Sequence, residues 1–101
     1  MRFHRLDLNL LVALDALLEE GSVSKAADRV HLTQSAMSNA LARLRRHFGD
    51  ELIVQVGRRM VLTERGQALK PEVRSILSRI RQVTQPEDHF DPSTAKQVFR
   101  V

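Results

Sequence analysis

Apolar positions recur along this chain at helical spacing through most of its length, and the exceptions are as informative as the rule. The first run, "LNLLVALDALLEE", is apolar over most of its circumference, which predicts a helix from about Leu8 to Glu20 buried on more than one side. Asp7 stands in the N-cap position and Gly21 ends the run. A second, short helix is predicted through about Val30, capped by Ser24, with Ala26 and Ala27 small enough to admit a close neighbour. His31 falls where the chain must turn sharply, and His is among the residues that tolerate positive φ.

Thr33 then caps a third helix, whose inner face is Met37, Ala40, Leu41, Leu44 and Phe48. Gln34, Ser35, Ser38, Asn39, Ala42, Arg45 and Arg46 lie largely away from that face. The outer surface therefore grades from short hydrogen-bonding side chains at the N-terminus to cations at the C-terminus, an order that also suits the helix dipole. After Gly49 and Asp50 the period changes. "LIVQV" and "MVLT" are β-prone runs joined through Gly57, a two-stranded hairpin that should lean on the helices through Leu52, Val54 and Leu62 because two strands alone are marginal.

Thr63 caps a fourth helix in which Leu69, Val73, Ile76, Ile80 and Val83 step by four, three, four and three, a narrow seam of the coiled-coil kind that reads either as a dimer interface or as ordinary core. Pro71 inside it predicts a kink or a late start. "TQPEDHFDPSTAK" reads as a linker, and the final "QVFRV" alternates like the start of a strand with no partner in the sequence, as though a second domain began there. The fold class expected is mainly α: a winged helix-turn-helix over 1–62, a long linker helix over 63–84, and a hinge with a possible first strand over 85–101.

Composition narrows the function. The chain has 101 residues and no Cys, which removes disulfide frameworks and thiolate metal sites and suits a reducing, cytoplasmic setting. Neither a leader nor a membrane-spanning run is legible: Leu8 to Leu18 is interrupted by Asn9 and Asp15. Net charge is +4, and it is uneven. Between Gln34 and Arg59 stand Arg43, Arg45, Arg46, Arg58 and Arg59 against Asp50 and Glu51 only, a surplus that suits a polyanion or, equally, a solvated helix face.

No catalytic, metal or cofactor site is expected. His4, His31, His47 and His89 have no ligand spacing, Asp15, Glu19 and Glu20 read as a solvated acidic edge, and there is no Gly-rich phosphate loop. What remains is geometry. A major groove about 12 Å wide accepts one helix and offers donors and acceptors that Gln, Asn and Ser can pair with. Short side chains near a helix N-terminus let the backbone approach closely, and its free amides can face a phosphate.

The stretch "LDLNLLVALDALLEEGSVSKAADRVHLTQSAMSNALARLRRHFGDELIVQVGRRMVLTERG" resembles the DNA-binding domain of LysR-type transcriptional regulators, most specifically through "SVSKAADRVHLTQSAMSNALARL". "LDLNLLVALDALL" and "FDPSTAKQVFRV" further resemble the subgroup of nodulation and aromatic-degradation regulators. The resemblance implies a winged helix-turn-helix dimerised through the linker helix, tetrameric at full length, binding double-stranded DNA near promoters, with a small-molecule effector held by a domain beyond this stretch. It places base reading on Gln34, Ser35, Ser38 and Asn39, and phosphate contacts near Ser24, Thr33, Arg43, Arg58 and Arg59. Ser35 stands where the family commonly has Pro, and Gln55 where many members have a wing Arg.

Each assignment has a plainer counterpart: Ser24 and Thr33 as caps, Ser38 as a small exposed helix residue, Arg43 as half of a surface ion pair. Two rival classes follow. One is a helical dimerisation or protein-interaction module with an incidental basic face. The other is a winged helix that binds RNA or reads duplex shape, disfavoured by four Phe and no Trp or Tyr. The resemblance and the graded helix together favour an inverted-repeat duplex bound by a homodimer.

Overall fold

The computed structural model describes residues 6–85. In chain order they form α1 (Leu8–Glu20), α2 (Val23–Arg29), α3 (Gln34–Phe48), β1 (Ile53–Val56), β2 (Arg59–Leu62) and α4 (Glu64–Thr84). The linker and strand readings over 86–101 lie outside the described residues.

α1 begins where Asp7 Oδ1 accepts the Leu10 N–H at 2.8 Å, and it ends where Gly21, at φ +64°, donates its N–H to the Leu17 carbonyl. Leu10, Ala13, Leu14, Ala16, Leu17 and Leu18 are all buried, because α2, α3 and α4 cover this helix from three directions. α2 starts two residues earlier than its sequence suggests. The extended backbone that a cap requires falls on Ser22, whose Oγ accepts the Lys25 N–H, and Ser24 sits in the first turn as an exposed residue. Ala26 and Ala27 are buried at the crossing of α1, α2 and α3. The turn into α3 has His31 at φ +60°, as its placement requires.

Two corrections concern the wing and the fourth helix. β1 and β2 pair antiparallel from Ile53↔Leu62 to Val56↔Arg59 around a two-residue loop opened by Gly57. The anchors, however, are Leu52 and Ile53, both fully buried, with Leu62 at the margin; Val54 is only half-buried. Successive strand residues face opposite ways, so burying 52 and 53 together demands a break in the pleat. Leu52 provides it at φ +69°, an uncommon conformation for a non-glycine residue.

α4 runs through Pro71 from a start at Glu64, so the start is not late; the proline removes the N–H that Gln67 would have bonded and stands exposed. Its apolar residues divide between two faces. Val73 and Leu77 are buried and Leu69 and Ile80 pack at the edge of the protomer's own core, whereas Ile76 is half-exposed and Val83 is 79% exposed. Val73, read from sequence as part of an interface, is consumed inside the protomer, because α4 must cover α1 before it can meet anything else.

Candidate nucleic-acid interface

The site is built on the N-terminal two turns of α3. Thr33 Oγ1 accepts the Ala36 N–H at 3.0 Å, which fixes the start of the helix, and Met37, Leu41 and Leu44 pull one face into the core. The opposite face is thereby committed to solvent. Gln34, Ser35, Ser38 and Asn39 are all exposed, and the side chain of none of the four has a hydrogen-bond partner among the described residues. Buried helix residues on one side and free donors and acceptors on the other make a probe of about one groove's width.

The cations do not all share that surface. Arg43 and Arg46 are exposed on α3, and Arg58 and Arg59 are exposed at the wing's turn. Arg45 is turned back: its Nε donates to the Glu51 carbonyl at 2.8 Å and its Nη2 to the Ile53 carbonyl at 2.7 Å, and it pairs with the Glu51 carboxylate. It ties the end of α3 to the start of β1 and leaves the outward basic set. Gln55, on the wing, donates to the Gly57 carbonyl at 3.1 Å and so holds the turn that presents Arg58. Ser24 is exposed beside Ser22, and Thr33 keeps its hydroxyl in the cap.

Beneath the wing lies a polar joint that sequence reasoning did not single out. Asp50 Oδ2 accepts the Leu52 N–H at 2.7 Å and the Thr63 hydroxyl at 2.6 Å, while Thr63 Oγ1 in turn caps α4 through the Gly66 N–H. The Thr63 hydroxyl first, then the Leu52 N–H and the charge of Arg65, hold the Asp50 carboxyl below the usual carboxylate range against the opposing pull of burial. Gly66 is required here, since a Cβ would stand 2.5 Å from the Leu52 carbonyl oxygen.

Of the acidic residues of α1, Glu20 is exposed as expected of a solvated edge, but Asp15 and Glu19 are not part of one. Asp15 is 5% exposed and is bridged by Arg74 of α4, Nη2 to Oδ2 at 3.2 Å; Glu19 Oε2 receives the same guanidinium's Nε at 3.0 Å, and Glu20 pairs with Arg29. The i, i+4 spacing of Asp15 and Glu19 was the available signal. Their partner lies 59 and 55 residues away, out of reach of local pattern. Among the described residues no group of His, Cys, Asp or Glu is arranged to hold a metal ion, and no helix is long and apolar enough to cross a membrane.

Three mutually packed helices, a tight turn before an exposed third helix and a hairpin beside it define a winged helix-turn-helix. Residues 8–67 match the model of the bacterial regulatory helix-turn-helix proteins of the LysR family. The whole chain is 50% identical to nodulation protein D of Azorhizobium caulinodans and 48% identical to nodulation protein D 1 of Bradyrhizobium sp. (strain NC92), and spans about a third of the length of each, 32% in both cases. A probable transcriptional regulator from Pseudomonas aeruginosa superposes with a TM-score of 0.74 at 39% identity, over 81% of this chain and 27% of that one. The BenM DNA-binding domain in complex with catB site 1 DNA superposes at 0.71 and 27% identity, over 77% of this chain and 88% of that one. This chain belongs to the LysR family, and its fold is that of the family's winged DNA-binding domains.

Proposed function

We propose that the chain is the sequence-specific, double-stranded-DNA-binding module of a cytoplasmic LysR-type regulator that controls promoters in response to a small-molecule effector bound outside this stretch. The observation that carries the reading is the free, solvent-facing row Gln34, Ser35, Ser38 and Asn39 at the capped start of α3, opposite an inner face on which Met37, Leu41 and Leu44 are buried. These four residues read base edges from the major groove, and Arg43, Arg58 and Arg59, with Ser24 and Thr33, grip the backbone on either side. The structures of BenM and CbnR DNA-binding domains with DNA support the assignment by likeness of fold.

The module acts as a two-fold dimer on an inverted repeat, with half-sites a whole number of turns apart, each about 34 Å along the duplex. The dimer forms through residues 63–84, where Ile76 and Val83 supply the outward apolar positions and Leu69 and Ile80 the margins, leaving 1–62 to the DNA; at full length two dimers make a tetramer. The chemistry is recognition without a reaction, so no catalytic residue is assigned.

Selection of bound duplexes from a random pool tests binding, symmetry and spacing at once. Enrichment of an inverted repeat is expected; retardation of no duplex at low salt would instead favour a protein-interaction module with an incidental basic face. Arg58→Ala should weaken binding to every sequence alike and lower the slope of log affinity against log salt by about one. Loss confined to one operator would make Arg58 a base reader. Ile76→Asp should abolish the dimer by forcing a charge into an apolar contact, as read by sedimentation.

A further inference from the structure

Among the described residues, Arg74 is the one side chain of α4 that makes hydrogen bonds to α1. Its guanidinium spans two carboxylates on successive turns of α1, Nη2 to Asp15 Oδ2 at 3.2 Å and Nε to Glu19 Oε2 at 3.0 Å. The arrangement is an inefficient way to gain stability. Asp15 is nearly buried, its Oδ1 has no hydrogen-bond partner, and one cation is shared between two anions. With Asp15 buried but the Arg74 guanidinium 43% exposed, an ion pair of this kind is weak as a source of stability, and the best-attested use of such pairs is to fix register. The apolar contacts around it, Val73 and Leu77 against α1, tolerate sliding and rotation by a fraction of a turn; a forked guanidinium does not.

We infer that Arg74, seated on Asp15 and Glu19, is a positioning residue that sets the angle and register of α4 against the helix-turn-helix, and through them the distance between the two recognition helices of a dimer. The inference rests on the dimeric reading proposed above. Arg74 itself touches no DNA. Its influence falls on which spacing between half-sites is accepted: one added base pair moves a half-site by about a tenth of a helical turn, in rotation as well as translation. With the fork intact the protomer is rigid and the penalty for a wrong spacing is steep. Without it α4 can re-seat on α1, and several spacings bind alike.

The test uses the 101-residue chain on duplexes carrying one half-site, or two at spacings varied by single base pairs. The wild type should prefer its best spacing over neighbouring ones by about fivefold or more, the usual scale of coupling between two sites. Arg74→Lys keeps the charge but loses the fork, and Asp15→Leu with Arg74→Met replaces the half-buried pair by apolar side chains so that folding does not depend on it. Both should leave half-site affinity within about twofold while the spacing preference falls to about twofold or less. A spacing profile unchanged in both variants overturns the inference, as does a loss of half-site affinity equal to the loss on the two-site duplex. A wild type with no preference among spacings overturns the dimeric reading and this inference with it, a result told apart by its appearing before any substitution.

Discussion

α1 and α3 are built from the same signals, each opened by a capping oxygen, on Asp7 or Thr33, and each closed by a left-handed glycine, Gly21 or Gly49. They are 13 and 15 residues long, yet seven residues of α1 are buried and only three of α3. Caps set where a helix lies along the chain; the width of its apolar stripe sets how many neighbours it needs. α1 is surrounded and serves as the foundation on which α2, α3 and α4 are oriented. α3 spends one narrow face on that foundation and leaves the rest for a partner.

The sharpest way to break this contrast is at the foundation. Leu14 is fully buried on α1, and Leu14→Ala should cost about 2–5 kcal/mol in urea unfolding. A loss under about 1 kcal/mol would mean that α1 is not the centre of the fold. Asn39→Ala on α3 should do the reverse: stability changes by about 0.5 kcal/mol at most, while discrimination at particular base pairs falls by about 1–3 kcal/mol. An unchanged profile of selected duplexes would remove Asn39 from the reading surface. Thr33→Ala should lower stability by about 1 kcal/mol through the lost cap, close to the cost of Asp7→Ala, since the two caps are the property the helices share.

The smallest effect concerns the joint beneath the wing. The Asp50 carboxyl is held below its ordinary range in the folded chain, so its contribution is present at neutral pH and is lost as the pH falls through that lowered value. Asp50→Asn should therefore flatten the acid limb of a plot of melting temperature against pH. An acid limb as steep as the wild type's would assign the acid sensitivity to other carboxylates.

Local features were legible in the sequence and long-range ones were not. The caps at Asp7, Thr33 and Thr63, the glycine stops and the left-handed His31 each depend on neighbours within about four residues, and each is in place. The cap of α2 falls on Ser22 and not on Ser24, because the chain leaving Gly21 is extended at Ser22. The exposure of Gln34, Ser35, Ser38 and Asn39 followed from helical period alone. Arg45 carried the same signal but faces the start of β1, and the pairing of Arg74 with Asp15 depends on α4 returning across α1. Nor does any local pattern announce Leu52 at positive φ; it follows from having to bury two successive residues where the wing joins the core.

A sheet of two strands consists entirely of edges. Near the core the outer edge is covered, the Ile53 carbonyl by Arg45 and the Leu62 carbonyl by Gln67, but toward the turn it is open, along a ribbon in which Val56 and Met60 are already exposed. Such ribbons recruit further copies unless charge at their margin keeps them apart. Arg58 and Arg59, exposed at the turn, put like charge on that margin, where charge disfavours edge-to-edge pairing. A variant stripped of both to measure the electrostatic share of binding is therefore expected to self-associate more readily, so its apparent affinity should be compared at several protein concentrations.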